Sequence, residues 1–132
     1  MLSLLKKYGF SLLVITIIFI LCFMNTKSLP SVPVQNFDKT VHAIMFLGLA
    51  CVIFFDNTRY LRYPISTIRI LLGTFLFPVA LGGLIEIMQT FLTTTRTGDW
   101  FDFLFDGIGA FVGCIIALLT NYLFLQREPQ DA

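Results

Sequence analysis

Apolar residues in this chain neither alternate nor recur with the period of a half-buried helix; they run on. Four stretches, Tyr8–Met24, Thr40–Phe55, Ile70–Leu92 and Phe103–Leu125, are apolar along most of their length. A helix of about 20 residues crosses the hydrocarbon core of a bilayer. Inside lipid, backbone groups have to bond within their own segment, which favours helices. A membrane β-barrel would require alternating segments of about ten residues, and none is present. The second stretch is the short one, so its helix is expected to extend outward through Asp38 and Lys39. In the third, Pro78 followed by Gly82-Gly83 predicts a kink or a close helix contact. Pro30 and Pro33 predict that residues 25–37 form an extended strap rather than a helix. The pattern therefore predicts an all-α, polytopic membrane protein. It is expected to be one domain over residues 1–132, a bundle of four transmembrane helices.

Composition sharpens this picture. Hydrophobic residues make up 57% of the chain and charged residues 13%, with a mean hydropathy of +0.85. A soluble domain of this size carries about 25% charged residues to cover its surface. The main partner is therefore expected to be the lipid bilayer. Net charge is +1 and the nine Lys and Arg residues are scattered, so no nucleic-acid partner is expected. Cys22, Cys51 and Cys114 each lie in an apolar run and read as small hydrophobes. No small-x-small cleavage site follows the first stretch, which reads as an uncleaved span.

Orientation follows from the cations. Lys6, Lys7, Arg59, Arg62, Arg69 and Arg127 fall on one side of the four spans, and Lys27, Lys39 and Arg96 on the other. Six against three predicts that both termini are cytoplasmic (N-in, C-in). Tyr8, Tyr60, Tyr63 and Tyr122 would then form an inner aromatic belt.

With that orientation the ionisable residues become asymmetric. Asp38, Lys39, His42, Glu86, Arg96, Asp99, Asp102 and Asp106 all fall in the extracytoplasmic half, and Asp56 alone touches the inner edge. Charged groups within spans are costly and usually face a bundle interior or a wet cavity. Their spacing puts them on stripes. Asp38 and His42 are four apart; Gly82, Glu86, Gln89, Thr93 and Arg96 step by four, three, four and three; Asp102, Asp106, Gly109 and Gly113 step by four, three and four. The stripes are expected to face one another. Gly82, Gly109 and Gly113 let the backbones approach, the last two as a GxxxG pattern. Glu86 lies about 9 Å below the outer boundary at about 1.5 Å per residue, so it requires a partner, with His42 the nearer candidate and Arg96 reachable only if the helix ends near Leu92. Asp99 and Asp102 also read as caps of the fourth helix. The expected ligand-binding set is Asp38, Lys39, His42, Glu86, Gln89, Arg96, Asp102 and Asp106, with His42 and Glu86 the candidate catalytic residues. One His without a thiolate cluster predicts no zinc site, and the carboxylates would suit Ca²⁺ or Mg²⁺ better. No metal and no cofactor is expected.

Taken in order, Asp38-Lys39-x-x-His42 with Phe46, Glu86-x-x-Gln89, Arg96, and Asp102-x-x-x-Asp106-x-x-Gly109 resemble the VanZ-like family of small bacterial membrane proteins. The resemblance runs from about Phe37 to Gly113. It departs at Asp106, where the family commonly has Asn. It implies a multi-pass protein of the bacterial inner membrane, a cell-envelope factor of the kind that lowers susceptibility to the glycopeptide teicoplanin.

Two functions of different class fit these residues. The first is a non-catalytic factor that binds or shields an outer-leaflet lipid or cell-wall component. The second is an outer-leaflet enzyme in which His42 and Glu86 share acid–base work on a lipid or wall precursor. Proton or ion movement is disfavoured, because the inner halves of the spans lack ionisable residues for a relay. Residue pattern alone leaves enzyme and binding protein open, and it does not give the oligomeric state.

Overall fold

The computed structural model describes residues 1–24, 30, 36–61, 64–94 and 97–127. The chain is helical, with α1 (Leu2–Lys7), α2 (Gly9–Phe23), α3 (Phe37–Tyr60), α4 (Thr67–Leu71), α5 (Phe77–Leu92) and α6 (Trp100–Arg127). A π-helical turn, Leu72–Leu76, joins α4 to α5 without a break. Three continuous helices, Phe37–Tyr60, Thr67–Leu92 and Trp100–Arg127, are long and apolar enough to cross a membrane.

The first expected span is shorter. α2 has 15 residues, about 22 Å at 1.5 Å per residue against a core of about 30 Å. Helix α1 precedes it after a break at Tyr8, whose φ of −112° and ψ of 28° leave the helical region. Hydrogen bonds bridge the break, with the Tyr8 N–H donating to Leu4 O and the Leu12 N–H to Tyr8 O, both at 2.9 Å. The second expected span is longer at both ends: α3 begins at Phe37, with Asp38 and Lys39 in its first turn as expected, and runs on past Phe55 to Tyr60. Most of the strap expected over residues 25–37 lies outside the described residues.

The π turn has a local cause. Pro78 offers no N–H to the carbonyl four residues back, Thr74, and its ring crowds that group. Widening the preceding turn relieves the crowding. The Thr74 hydroxyl, fully buried, donates to Ile70 O at 2.8 Å.

Helix α3 is the centre of the bundle and packs most extensively on α6, with α2 and the Thr67–Leu92 helix around it. The α3–α6 approach is close because α6 presents glycines. A Cβ at Gly109 would collide with the backbone of Ala43, and one at Gly113 would lie 2.5 Å from the Ala50 Cβ. A Cβ at Gly82 would lie 2.8 Å from Asp106 Oδ2, so α5 also closes on α6 where the carboxylates are. The apolar core joins Ile18 and Cys22 of α2, Phe46, Leu49 and Ile53 of α3, and Ile85 of α5. Large apolar side chains such as Leu13, Ile44, Phe91 and Phe111 remain exposed around the outside, as a lipid-facing surface requires.

A candidate polar site at one end of the bundle

Three helices each contribute to one buried cluster. His42 comes from the second turn of α3, Glu86 from the middle of α5, and Asp102 and Asp106 from the first two turns of α6. His42 is 2% exposed and Asp106 0%, while Glu86 and Asp102 are each 9% exposed. The His42 ring lies between two carboxylates: its Nδ1 is 2.8 Å from Asp106 Oδ1, and its Nε2 is 3.8 Å from Asp102 Oδ2. The first is a hydrogen bond and the second is too long for one. With the proton on Nδ1, Asp106 orients the ring and leaves the Nε2 lone pair toward the mouth of the cluster.

Glu86 is held differently. Its Oε2 accepts the Asp99 N–H at 2.7 Å, just before α6 starts. Its other oxygen, Oε1, has no hydrogen-bond partner, and neither has Asp106 Oδ2, although both atoms are buried. Buried polar atoms are nearly always paired, so two orphaned oxygens within one cluster are specific features. One ligand atom from each of His42, Glu86 and Asp106 lies within 4.8 Å of the others, and the same holds for Asp38, His42 and Asp102.

The cluster has an apolar neighbour. A cleft of about 270 Å³ between α5 and α6 is lined by Gly83, Glu86, Ile87, Phe91, Trp100 and Phe103. Glu86 belongs to both cleft and cluster, and Ile87, Phe91 and Trp100 are exposed on the outside of the bundle.

Of the residues expected to bind a ligand, His42, Glu86, Asp102 and Asp106 are together, with Asp38 at their exposed edge. The hydrogen-bonding partner of His42 is Asp106 rather than Glu86, because close α3–α6 packing brings that carboxylate to the ring first. Gln89 turns elsewhere: its amide donates to Cys22 O at 2.9 Å, tying α5 to α2. The Lys39 ammonium lies 5.7 Å from the centre of the Phe101 ring. Arg96 is outside the described residues. Asp99 accepts the Phe101 N–H at 2.9 Å and so caps the start of α6.

A second polar group at the opposite end escaped the sequence. Asp56, fully buried, accepts both the Ser11 N–H at 2.9 Å and the Ser11 hydroxyl at 2.8 Å through one oxygen. The Tyr8 hydroxyl donates to Asn57 Oδ1 at 3.1 Å. Asn121 accepts the Ile65 N–H and donates to the Ile65 carbonyl, at 3.2 and 2.9 Å. The signal was available in the stripes: His42, Phe46, Leu49, Ile53 and Asp56 step by four, three, four and three, and Gly113, Ala117 and Asn121 step by fours. These bonds join helix to helix or helix to connection, and Asn121 is paired through both its oxygen and its nitrogen, whereas the other Asp56 oxygen, Oδ1, is buried without a partner. A cleft of about 850 Å³ beside them includes Lys7, Ser11, Asn57, Arg69 and Phe77 in its lining.

Comparison with known proteins gives a family and a relative. A family described as VanZ/LLP1 matches residues 3–121. An uncharacterised protein of the fission yeast Schizosaccharomyces pombe, C11E3.10, is 36% identical over 102 residues, covering 75% of this chain and 55% of the yeast protein. The chain thus spans about half the length of that relative. No solved structure matches.

Proposed function

The chain belongs to the VanZ/LLP1 family, matched over residues 3–121, and on that premise we propose that it is a membrane-envelope factor whose buried polar cluster binds an amphiphilic component of the outer leaflet or cell wall. The observation that carries this reading is the pair of unpartnered buried oxygens, Glu86 Oε1 and Asp106 Oδ2, beside an apolar cleft that shares Glu86. A polar head group would meet the carboxylates and the ring, and its apolar part would lie along Ile87, Phe91 and Trp100. The distribution of Lys and Arg supports a four-span arrangement with both termini cytoplasmic. The cluster then faces the extracytoplasmic side of a bacterial inner membrane. In such a bacterium the protein lowers susceptibility to teicoplanin by shielding the component it binds. A relative in a yeast favours a ligand class found in membranes generally over one confined to a bacterial wall.

A specific observation favours a second reading. The 2.8 Å contact between Asp106 and His42 Nδ1 is the arrangement by which a carboxylate prepares the other ring nitrogen as a general base. An enzyme acting on a lipid or wall precursor would use it, with activated water supplying the nucleophile.

Both readings are tested with the full-length chain. Protein purified in detergent is incubated with membrane lipid extract, and retained lipids are identified by mass spectrometry. One amphiphile class should be enriched on the unaltered chain and lost from Glu86→Gln and His42→Gln at equal protein recovery. Conversion of the amphiphile during incubation would favour the enzyme. Equal retention by both variants would refute a site at this cluster.

A further inference from the structure

We propose that His42, Glu86 and Asp106 together bind a divalent cation of the Mn²⁺/Zn²⁺ class, through which the amphiphile's head group is held. This inference rests on the cluster being the ligand site.

Three independent features converge on an ion. The first is charge. Among the described residues, this end of the bundle carries Asp38, Glu86, Asp99, Asp102 and Asp106 against Lys39 and the His42 ring, and the Lys39 ammonium lies over Phe101. Carboxylates withdrawn from water require compensation by a cation or by protons. The second feature is the orphaned pair. Glu86 Oε1 and Asp106 Oδ2 are buried without a partner, on residues that are respectively 9% and 0% exposed. The Asp99 N–H and the His42 ring satisfy only the other oxygen of each carboxylate. The third is geometry. One ligand atom from each of the three residues lies within 4.8 Å of the others. Donor atoms around a single ion with bonds of about 2.0–2.2 Å are at most about 4.4 Å apart, so a few tenths of an ångström of side-chain motion completes the set. The 2.8 Å separation of His42 Nδ1 and Asp106 Oδ1 is already close to the edge of about 3 Å expected for adjacent ligands on an octahedral ion.

The ring proton has a destination. When an ion takes the Nδ1 lone pair, the proton resides on Nε2, and Asp102 Oδ2, 3.8 Å away, becomes its acceptor once the two close by a further several tenths of an ångström. A carboxylate behind a ligating imidazole fixes its tautomer and orientation. Asp102 is then a positioning residue, and Glu86 and Asp106 are ligands. A nitrogen donor among oxygens selects Mn²⁺ or Zn²⁺ over Ca²⁺ and Mg²⁺, which prefer all-oxygen sites. Three protein ligands leave positions open for an oxygen of the bound head group. Because the ligands come from α3, α5 and α6, the ion would also pin the bundle together at this end.

The test uses full-length protein in detergent, stripped with EDTA and then exposed to Mn²⁺, Zn²⁺, Mg²⁺ or Ca²⁺ alone. Metal retained after desalting is measured by mass spectrometry, and bound Mn²⁺ by electron paramagnetic resonance. About one Mn²⁺ or Zn²⁺ should remain per chain, with Mg²⁺ and Ca²⁺ lost. Glu86→Gln and Asp106→Asn should each weaken binding at least tenfold, and Asp56→Asn, at the far end of the bundle, should leave it unchanged. Thermal unfolding of each variant establishes that it is folded. Lack of stoichiometric metal on the unaltered chain would overturn the proposal. So would retention by Glu86→Gln and Asp106→Asn together with loss in Asp38→Asn, which would move the ion to the mouth. Metal bound as expected with no amphiphile retained would sustain the ion site and overturn both the binding function and the ion's role in holding a head group. Amphiphile retained by a chain that never takes up metal would do the reverse.

Discussion

At the scale of single residues, the most consequential contact joins His42 to Asp106 across the α3–α6 interface. Removing one member of a buried pair leaves the other without compensation, typically at about 3–5 kcal/mol. His42→Ala is therefore expected to lower the unfolding temperature in detergent sharply. Asp106→Asn keeps an acceptor for the ring, and should cost closer to the 1 kcal/mol or so of an altered hydrogen bond. Equal losses in the two variants would mean that the charge rather than the hydrogen bond holds the helices there. Glu86 behaves differently, because only one of its oxygens is satisfied. In metal-free protein Glu86→Leu should leave thermal stability unchanged or raise it, as replacement of buried charge often does, while abolishing ligand retention. Combining Glu86→Gln with His42→Gln should reduce retention little beyond either alone, since residues that act as a unit are not additive. Fully additive losses would show two separate sites.

At the scale of elements, glycine decides how near α6 comes to α3. Gly109 faces the Ala43 backbone, whereas a Cβ at Gly107 would meet nothing within 4 Å. Gly109→Leu should thus separate the helices and lose at least the 1–3 kcal/mol or so of an overpacked core, and Gly107→Ala should be neutral in the same thermal assay. Similar behaviour of the two would mean that α6 is rotated away from the packing described. The π turn before Pro78 belongs to this scale as well. Proline predicts a distortion, but whether it becomes a kink or a widened turn depends on the packing of Thr74, which is buried in the bundle and bonds Ile70 O. Asp38 and Lys39 at the start of α3 were legible from the shortness of the apolar run. The break at Tyr8 was not, because Leu2–Lys7 has too few residues for any pattern to mark it as a separate helix.

At the scale of the whole molecule, polar groups occupy both ends of an apolar bundle, and the fourteen residues from His42 to Asp56 on α3 amount to about 21 Å of helix. Sidedness can be read by labelling. With Cys22, Cys51 and Cys114 removed, a cysteine at Thr94 should react in intact cells with a membrane-impermeant thiol reagent, and one at Thr58 should not. The reverse pattern would place the cluster on the cytoplasmic side and overturn the outer-leaflet ligand. The helical class, the three long apolar helices and the spacing that puts His42, Glu86, Asp102 and Asp106 on buried faces were legible in the sequence, because each depends on run length or on a period of 3.6 along a single helix. Which stripe residue meets which was not legible, since that is a matter of relative rotation and depth between helices. His42 bonds to Asp106 because glycines bring α3 and α6 together, Gln89 bonds to the backbone of α2, and Ser11 bonds one oxygen of Asp56 across 45 residues of chain. Local spacing is a property of one helix and is written in order along the chain. Contacts between helices are chosen by packing, and only the folded bundle could show that two carboxylate oxygens at its polar end lie buried without a partner.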